Sequence, residues 1–223
     1  LGLVQVASEL ASGRGVGGSA AARPRRLPLR SALALALASG LTCGGALAQV
    51  VALDQLPVLQ SATGASVDQV AAEVMEITQT EDRALINWAS FDIGAEALVQ
   101  FIQDADQIAL NRILGGDPSQ IMGELTADGT IFLINPNGIV FGAGSTVSVG
   151  SLVASTLAPA DAEAFVEFED GAYVNSEFQW TAGGTGALVV NEGTITTSGG
   201  QVVLLGAGVE NANTGAITVG PGR

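Results

Sequence analysis

Short apolar runs and turn-forming residues alternate along most of the chain from about residue 84 onward. The runs are rich in Val, Ile and Leu and are bounded by Gly, Asn, Asp and Pro. Each is four to seven residues long, which is typical of strands and short for helices. They lie at 84–88, 107–113, 130–134, 146–149, 187–190, 194–197, 201–205 and 216–219. The pattern therefore predicts an all-β fold.

A degenerate repeat links several of these runs. It consists of a turn-forming residue, a Gly and, two positions after the Gly, an Ile or Val, and it occurs at 128–131, 137–140, 192–195 and 214–217. The last two copies are 22 residues apart. A period near this length with several short strands per period predicts a solenoid, here a single-stranded parallel β-helix. An antiparallel sandwich is the alternative, but it predicts hairpins of similar length instead of a repeated motif.

Two segments depart from the pattern. Residues 67–77 fit a short helix by the spacing of their apolar positions and a strand by their final residues, and we favour a strand from Val74. Residues 159–165 begin with Pro and continue with acidic residues, which is typical of the first turn of a helix. We expect a small excursion from the solenoid at this second segment.

The composition narrows the chemistry that the chain can perform. Its 223 residues include 22 Asp and Glu, eight Arg and one Cys, but neither His nor Lys. A catalytic imidazole, a lysine Schiff base, a phosphate-binding P-loop lysine and a zinc site rich in Cys or His are therefore excluded. The formal net charge of -14 disfavours nucleic acid, because phosphate backbones are repelled. We expect no cofactor, no metal ion and no nucleic-acid partner.

The charge is distributed unevenly in a way that predicts a leader. Five of the eight Arg precede residue 31, and Arg23 to Arg30 form a basic region before an apolar stretch at 31–41. That stretch has the length of a signal-peptide core and is shorter than the roughly 20 residues that a membrane-spanning helix needs. The small residues Ala46 and Ala48 lie three positions and one position before the predicted cleavage point, and Gln49 follows it.

These features divide the chain into a leader at 1–48, cleaved after Ala48, and a mature domain at 49–223. From Gln49 onward, three Arg stand against 21 acidic residues, a net charge of −18. Cys43 falls inside the leader, so the mature domain would contain no cysteine. No closing cap is recognisable before Arg223, and the sequence leaves open whether the domain is truncated at that end.

Ordered landmarks between residues 82 and 156 carry a family resemblance. Residues 86–94 read Ile-Asn-Trp-Ala-Ser-Phe-Asp-Ile-Gly, and 115–121 read Gly-Gly-Asp-Pro-Ser-Gln-Ile. Residues 132–142 read Phe-Leu-Ile-Asn-Pro-Asn-Gly-Ile-Val-Phe-Gly, and 149–156 follow with Val-Gly-Ser-Leu-Val-Ala-Ser-Thr. Together these landmarks resemble the N-terminal secretion domain of the filamentous haemagglutinin family of two-partner secretion exoproteins.

The resemblance implies a fold, a partner and a location. Members have a right-handed parallel β-helix with N-terminal capping strands, and they are exported through the periplasm of Gram-negative bacteria. A cognate outer-membrane transporter with periplasmic POTRA domains recognises the secretion domain. The exoprotein then becomes extracellular or associated with the cell surface, and a downstream region acts as adhesin, haemagglutinin or toxin, with a host glycan or surface ligand as its target.

The resemblance also implies a secretion motif, Asn-Pro-Asn-Gly, at Asn135, Pro136, Asn137 and Gly138. A second motif of some members, Asn-Pro-Asn-Leu, is absent from this sequence. The first motif suits a type I turn, because Asn bonds across the turn, Pro presets its φ angle and Gly follows readily. Two interpretations stay open: a structural corner of the β-helix, and a direct contact with the transporter.

The other candidate sites have simple explanations. Asp104 with Asp106 could hold Ca²⁺, as could an acidic group further on, but neither has the spacing of a ligand loop. That further group consists of Glu167, Glu169 and Asp170. We expect solvated acidic faces at both places and a turn at 183–186. Trp88 lies in an apolar strand and is expected in the core, whereas Trp180 could be buried or could stack on a sugar.

Two other functions are weighed against the secretion domain. The domain could itself be an adhesin that binds a glycan or a host protein. Less favoured is a β-helical polysaccharide lyase or hydrolase, which would need paired carboxylates or a cationic base. Of the three mature cations, Arg83, Arg112 and Arg223, only Arg83 lies beside an acidic cluster. We therefore expect that the protein is not an enzyme.

Overall fold

In the computed structural model, residues 51–159, 180–181 and 186–221 are described. Nineteen strands and no helix occur in these residues, and nothing in them forms a helix long and apolar enough to cross a membrane. Three sheets run side by side along a parallel β-helix of about five turns. The fold predicted from the repeat is therefore confirmed, and the sandwich alternative is wrong.

Each sheet collects one strand from each successive coil. Sheet A contains β1 (Val58–Thr63), β4 (Arg83–Ser90), β6 (Ile108–Ile113), β9 (Thr130–Ile134), β12 (Ser151–Ser155) and β17 (Val202–Leu205). Sheet B contains β2 (Ala65–Gln69), β3 (Val74–Gln79), β5 (Leu98–Ile102), β8 (Glu124–Ala127), β11 (Thr146–Val149), β16 (Thr194–Thr197) and β19 (Ala216–Val219). Sheet C contains β7 (Ser119–Ile121), β10 (Ile139–Phe141), β15 (Leu188–Asn191) and β18 (Gly208–Asn211).

The core consists of side chains that stack from coil to coil. In sheet B, strand pairing places one inward position of each coil in a single column. Its members are Met75, Val99, Leu125, Val147, Ile195 and Ile217. Paired strands lie roughly 4.8 Å apart, so branched aliphatic side chains in one column touch directly. A core built in this way needs few aromatic residues, in agreement with their 4% share of the sequence.

Sheet A is buried on its outer face as well, which its short strands did not reveal. Leu85, Leu110 and Ile134 form a second buried cluster, separate from the main core. Ala158 packs against it from β13 (Ala158–Pro159), which pairs antiparallel with β14 (Trp180–Thr181). The chain therefore leaves the solenoid after β12, where an excursion was predicted. The helical turn expected at 159–165 is wrong for Pro159, which lies in β13, and its other residues lie outside the described ones.

The N-terminal end of the solenoid is covered on three sides. Strand β1 pairs antiparallel with β4, and β2 pairs antiparallel with β3. The third side is covered by the segment before β1, since Gly94 N donates to Gln55 O at 2.9 Å and Glu96 N to Leu53 O at 2.8 Å. The predicted capping strands are confirmed. The strand favoured from Val74 is confirmed as β3, and the helix considered for 67–77 is wrong.

Leu56 closes the core beneath this cap, and its removal provides a test. Its side chain is only 9% exposed and belongs to the main core, whereas nearby Leu53 is 58% exposed. We expect Leu56→Ala to lower the free energy of unfolding by about 2–4 kcal/mol, because it leaves a cavity at the end of the stack. Leu53→Ala should change it by less than about 0.5 kcal/mol. Urea unfolding followed by circular dichroism measures both, and equal effects would contradict this account of the cap.

Candidate functional site

The Asn-Pro-Asn-Gly motif forms the corner between β9 in sheet A and β10 in sheet C. Gly138 N donates to Asn135 O at 3.1 Å, which closes a β-turn. Within the turn, Asn137 N donates to the side-chain Oδ1 of Asn135 at 2.9 Å. Gly138 has a φ of 125°, a left-handed value that a residue with a Cβ rarely adopts. The motif is thus a tight corner whose residue types follow from its backbone.

The same corner is bonded to both neighbouring coils. The Nδ2 group of Asn135, a fully buried residue, donates to Asp117 O and to Ser119 Oγ, both at 3.0 Å. Asn137 Nδ2 donates to Gly115 O at 2.8 Å. On the other side, Asn135 N donates to Ser155 O of the following coil at 2.9 Å. Both amide groups therefore satisfy backbone carbonyls of the protein itself.

The loop at 115–119 is the second half of this site. A Cβ on Gly115 would lie 2.0 Å from Ala89 O, so the loop packs directly on the coil before it. A Cβ on Gly116 would meet nothing within 4 Å. In the sequence, residues 115–121 stand out only as a landmark of the family resemblance, with nothing that links them to the motif. The coil period could have predicted that this loop contacts the Asn-Pro-Asn-Gly motif, because Gly115 and Asn137 are 22 residues apart, which is the length of one coil.

Asp92 provides a carboxylate where sheet C lacks a strand. In the first coil, only an isolated bridge joins Ile93 to Ile121, and Asp92 Oδ1 accepts a hydrogen bond from Gln120 N at 2.9 Å. Burial raises the pKa of Asp92 above its ordinary value, and the charge of Asp117 adds to the rise. The bond from Gln120 acts in the opposite direction. Sequence reasoning did not single out Asp92.

Trp88 lies in the core, as predicted. Its side chain is fully buried, and its Nε1 donates to Asn111 Oδ1 at 3.0 Å. The indole meets the ring of Phe91 edge to face, with centroids 5.2 Å apart. Asn111 in turn donates to Phe132 O of the next coil at 3.2 Å. A buried indole N–H requires such an acceptor, so Asn111 links the first three coils through a polar contact inside the core.

Comparison with known proteins identifies the family. The family model described as the TPS secretion domain matches residues 48–220. The chain belongs to this family. It is a family of secretion domains of two-partner secretion exoproteins, so the expected assignment of the chain to such a domain is confirmed. The family is one of secretion domains and not of enzymes.

Two kinds of relative show how far the likeness extends. The crystal structure of the HMW1 secretion domain from Haemophilus influenzae superposes with a TM-score of 0.60 and 31% identity, covering 72% of this chain and 42% of that one. A curated Heme/hemopexin-binding protein of the same species is 42% identical over 92 residues, which is 41% of this chain. A second, from strain Rd, is 46% identical over 83 residues. The matched parts span about a tenth of the curated relatives' length.

The remaining candidates of the TPS domain are placed as follows. Asp104 and Asp106 are exposed in the turn after β5, and the described residues contain no group of three or more potential metal ligands. Glu167, Glu169 and Asp170 lie outside the described residues, as do the cleavage residues Ala46, Ala48 and Gln49. The turn expected at 183–186 is described only at Gly186, and the side chain of Trp180 lies outside the description.

The raised pKa of Asp92 predicts how stability depends on pH. Between the ordinary value of 3.8 and the raised value, the folded domain binds this proton more readily than the unfolded chain, so the contribution of Asp92 to stability falls as pH rises through that window. Asp92→Asn keeps an acceptor for Gln120 N and removes the buried charge. We therefore expect this variant to be more stable than the wild type at pH 7, with the difference shrinking as pH falls through that window and levelling off below about 4.

Asp92→Ala is the matched control for this measurement. It removes the acceptor as well as the charge, and leaving Gln120 N without its partner costs about 1–3 kcal/mol. Urea unfolding at a series of pH values compares the three proteins. A difference between Asp92→Asn and the wild type that does not vary with pH would show that titration of Asp92 does not contribute.

Proposed function

We propose that the domain at 49–223 is the export signal of a two-partner secretion exoprotein, read in the periplasm by the POTRA domains of a cognate outer-membrane transporter. TPS domains in general engage such a transporter, and their exoproteins are secreted across the outer membrane. The observation that carries the proposal is the family match over residues 48–220 together with the solenoid shared with the HMW1 secretion domain. The leader at 1–48 would direct the chain to the periplasm.

We infer that the domain also nucleates folding outside the cell. Its stability comes from each coil stacking on its neighbours, so a coil that has formed presents a paired edge to the next. The cap at the N-terminal end supports a folding order that starts there, because it seals the first coil without waiting for later sequence. The mature domain has no cysteine, so no disulfide would close the chain before transport.

We assign the Asn-Pro-Asn-Gly motif a role in secretion that acts through folding. The support is the bonding of its amides: Asn135 and Asn137 hold the loop at 115–119, which belongs to the coil before. An amide that already donates to a backbone carbonyl is a poor candidate for a new partner. The alternative, in which the domain is itself a glycan- or host-binding adhesin, stays a prediction.

The transporter requirement is tested by co-expression in a Gram-negative host. The full chain is expressed with and without the candidate transporter, and the amount in the culture medium is measured. We expect secretion only when the transporter is present, because a periplasmic chain has no other route across the outer membrane. A strain that carries a transporter with its POTRA domains deleted is the control. Equal secretion in all three strains would contradict the proposed function.

The role of the motif is tested by breaking the same corner from its two sides. Asn137→Ala removes the bond to Gly115 O, and Gly115→Ala pushes the loop away from Ala89 O. We expect each to lower stability by about 1–3 kcal/mol and to reduce secretion in proportion. Gly116→Ala, whose Cβ would enter open space, should be stable and secreted. If Asn137→Ala abolishes secretion while an equally destabilised Gly115→Ala is secreted, the motif contacts the transporter directly.

A further inference from the structure

The secretion motif contains the only Asn-Gly pair in the sequence, Asn137 with Gly138. Glycine has no Cβ, so the backbone nitrogen that follows the asparagine is unshielded and can attack the amide carbon of the asparagine side chain. In other pairs the next side chain hinders this attack, as Thr214 does after Asn213. Asn-Gly is for this reason the pair at which an unfolded chain deamidates most readily.

The reaction consumes water and releases ammonia. Hydroxide takes the proton from the Gly138 nitrogen, which bonds to Cγ of Asn137 while the bond from Cγ to Nδ2 breaks. The departing nitrogen takes a proton from water and leaves as ammonia, and a five-membered succinimide ring remains. Water then opens the ring. Attack on the side-chain carbonyl gives Asp, and attack on the backbone carbonyl gives isoaspartate.

The folded corner holds both reacting groups in hydrogen bonds. Gly138 is buried, and its N–H donates to Asn135 O at 3.1 Å. Asn137 Nδ2 donates to Gly115 O at 2.8 Å and to Asn135 Oδ1 at 3.1 Å. The attack requires the side chain of Asn137 to turn away from these acceptors and the N–H of Gly138 to lose its own. Folding of the corner therefore prevents the reaction.

The product of the reaction does not fit the corner. A carboxylate at position 137 has no hydrogen to donate and would face two acceptors, Gly115 O and Asn135 Oδ1. Acceptors without a proton between them repel, and a partly buried carboxylate also loses hydration. Isoaspartate in addition lengthens the backbone inside the turn that Gly138 N closes on Asn135 O. A chain that deamidates before it folds therefore forms a weaker corner.

We propose that Asn137 is a deamidation site of the unfolded chain and that the folded corner closes this site. The inference goes beyond the proposed function, because the reaction needs water and no transporter. One consequence rests on the proposed function: the site limits how long a chain can wait unfolded in the periplasm. A chain that waits too long carries an altered residue at a corner on which its folding depends.

The first test compares folded and denatured protein purified from the culture medium. Both samples are kept at mildly alkaline pH, one in buffer and one in concentrated guanidinium chloride, and proteolytic peptides are followed by mass spectrometry. We expect Asn137 to deamidate at least about tenfold faster in the denaturant, because only the open fraction of a folded protein reacts. Equal rates in the two samples would overturn the proposal, as would a denatured rate at Asn137 no higher than that at Asn213.

Thr214→Gly is the matched control for protection by the corner. It places a glycine after Asn213, which is exposed in the turn between β18 and β19. We expect the ratio of denatured to folded rate at Asn213 of this variant to be at least about threefold smaller than the ratio at Asn137, because fewer contacts hold an exposed turn. Equal ratios would mean that folding protects every Asn-Gly pair alike, and the corner would have no special part.

Asn137→Asp reproduces one product of the reaction and tests its effect on the fold. We expect its midpoint of urea unfolding to lie below that of the wild type at pH 7. The two midpoints should converge as the pH falls toward about 4, where the protonated acid again donates to Gly115 O. Equal midpoints at every pH would show that the corner tolerates the product, against the proposal.

Retention in the periplasm separates this inference from the proposed function. Without the transporter, we expect the retained chain to gain Asp and isoaspartate at position 137 with time, whereas chain secreted through the transporter keeps Asn137. If the retained chain stays unmodified, the limit on waiting time is overturned. If secretion does not require the transporter, the proposed function fails, while the rates in purified protein still decide whether Asn137 is a deamidation site.

Discussion

Backbone hydrogen bonds between each coil and the next are the interaction on which the rest of this domain depends. Parallel pairing at one strand spacing brings the same position of successive coils together, so every inward column must be filled along its whole length. The column from Met75 to Ile217 is aliphatic throughout for this reason. A charged residue in it would lose its water and gain no partner. The low content of charged residues, 13%, follows from this constraint.

The corners are where this pairing is interrupted, and side-chain amides supply the missing bonds there. A buried amide plays a similar part within strand β6, where Asn111 accepts from the indole of Trp88 and donates onward to Phe132 O. Further along, Asn191 Nδ2 donates to Asn211 Oδ1 of the next coil at 2.7 Å. The secretion motif follows the same rule, with Asn135 and Asn137 in this role. Within the described residues, the motif stands out by the number of side-chain hydrogen bonds that it makes within four residues, while the kind of bond is the same as at Asn191.

The sequence was most informative where structure is local. Strands, turns and the coil period are visible in it because a short run of Val and Ile between two turns has few other conformations. The burial of Leu85 and Leu110 on the outer face of sheet A was not visible, since the residue that packs there, Ala158, is distant in the chain. Strand β1 shows no clear alternation because almost all its side chains are exposed. Asp92 has its role because the first coil contributes no strand to sheet C, and the sequence around Asp92 does not show that this strand is missing.

The length of one coil has a mechanical consequence for export of the kind proposed here. Glu124 and Thr146 are paired neighbours in sheet B, so one coil takes up the 22 residues that separate them. Fully extended, that length of chain spans about 70 Å, yet a finished coil lengthens the solenoid by only about 4.8 Å. Each coil that forms outside the cell therefore removes a long stretch of extended chain from the pore and cannot slide back through it. Thermal motion of the chain in the pore would then lead only outward, because each folded coil prevents the return. The free energy of coil stacking would drive export, and no nucleotide hydrolysis would be needed.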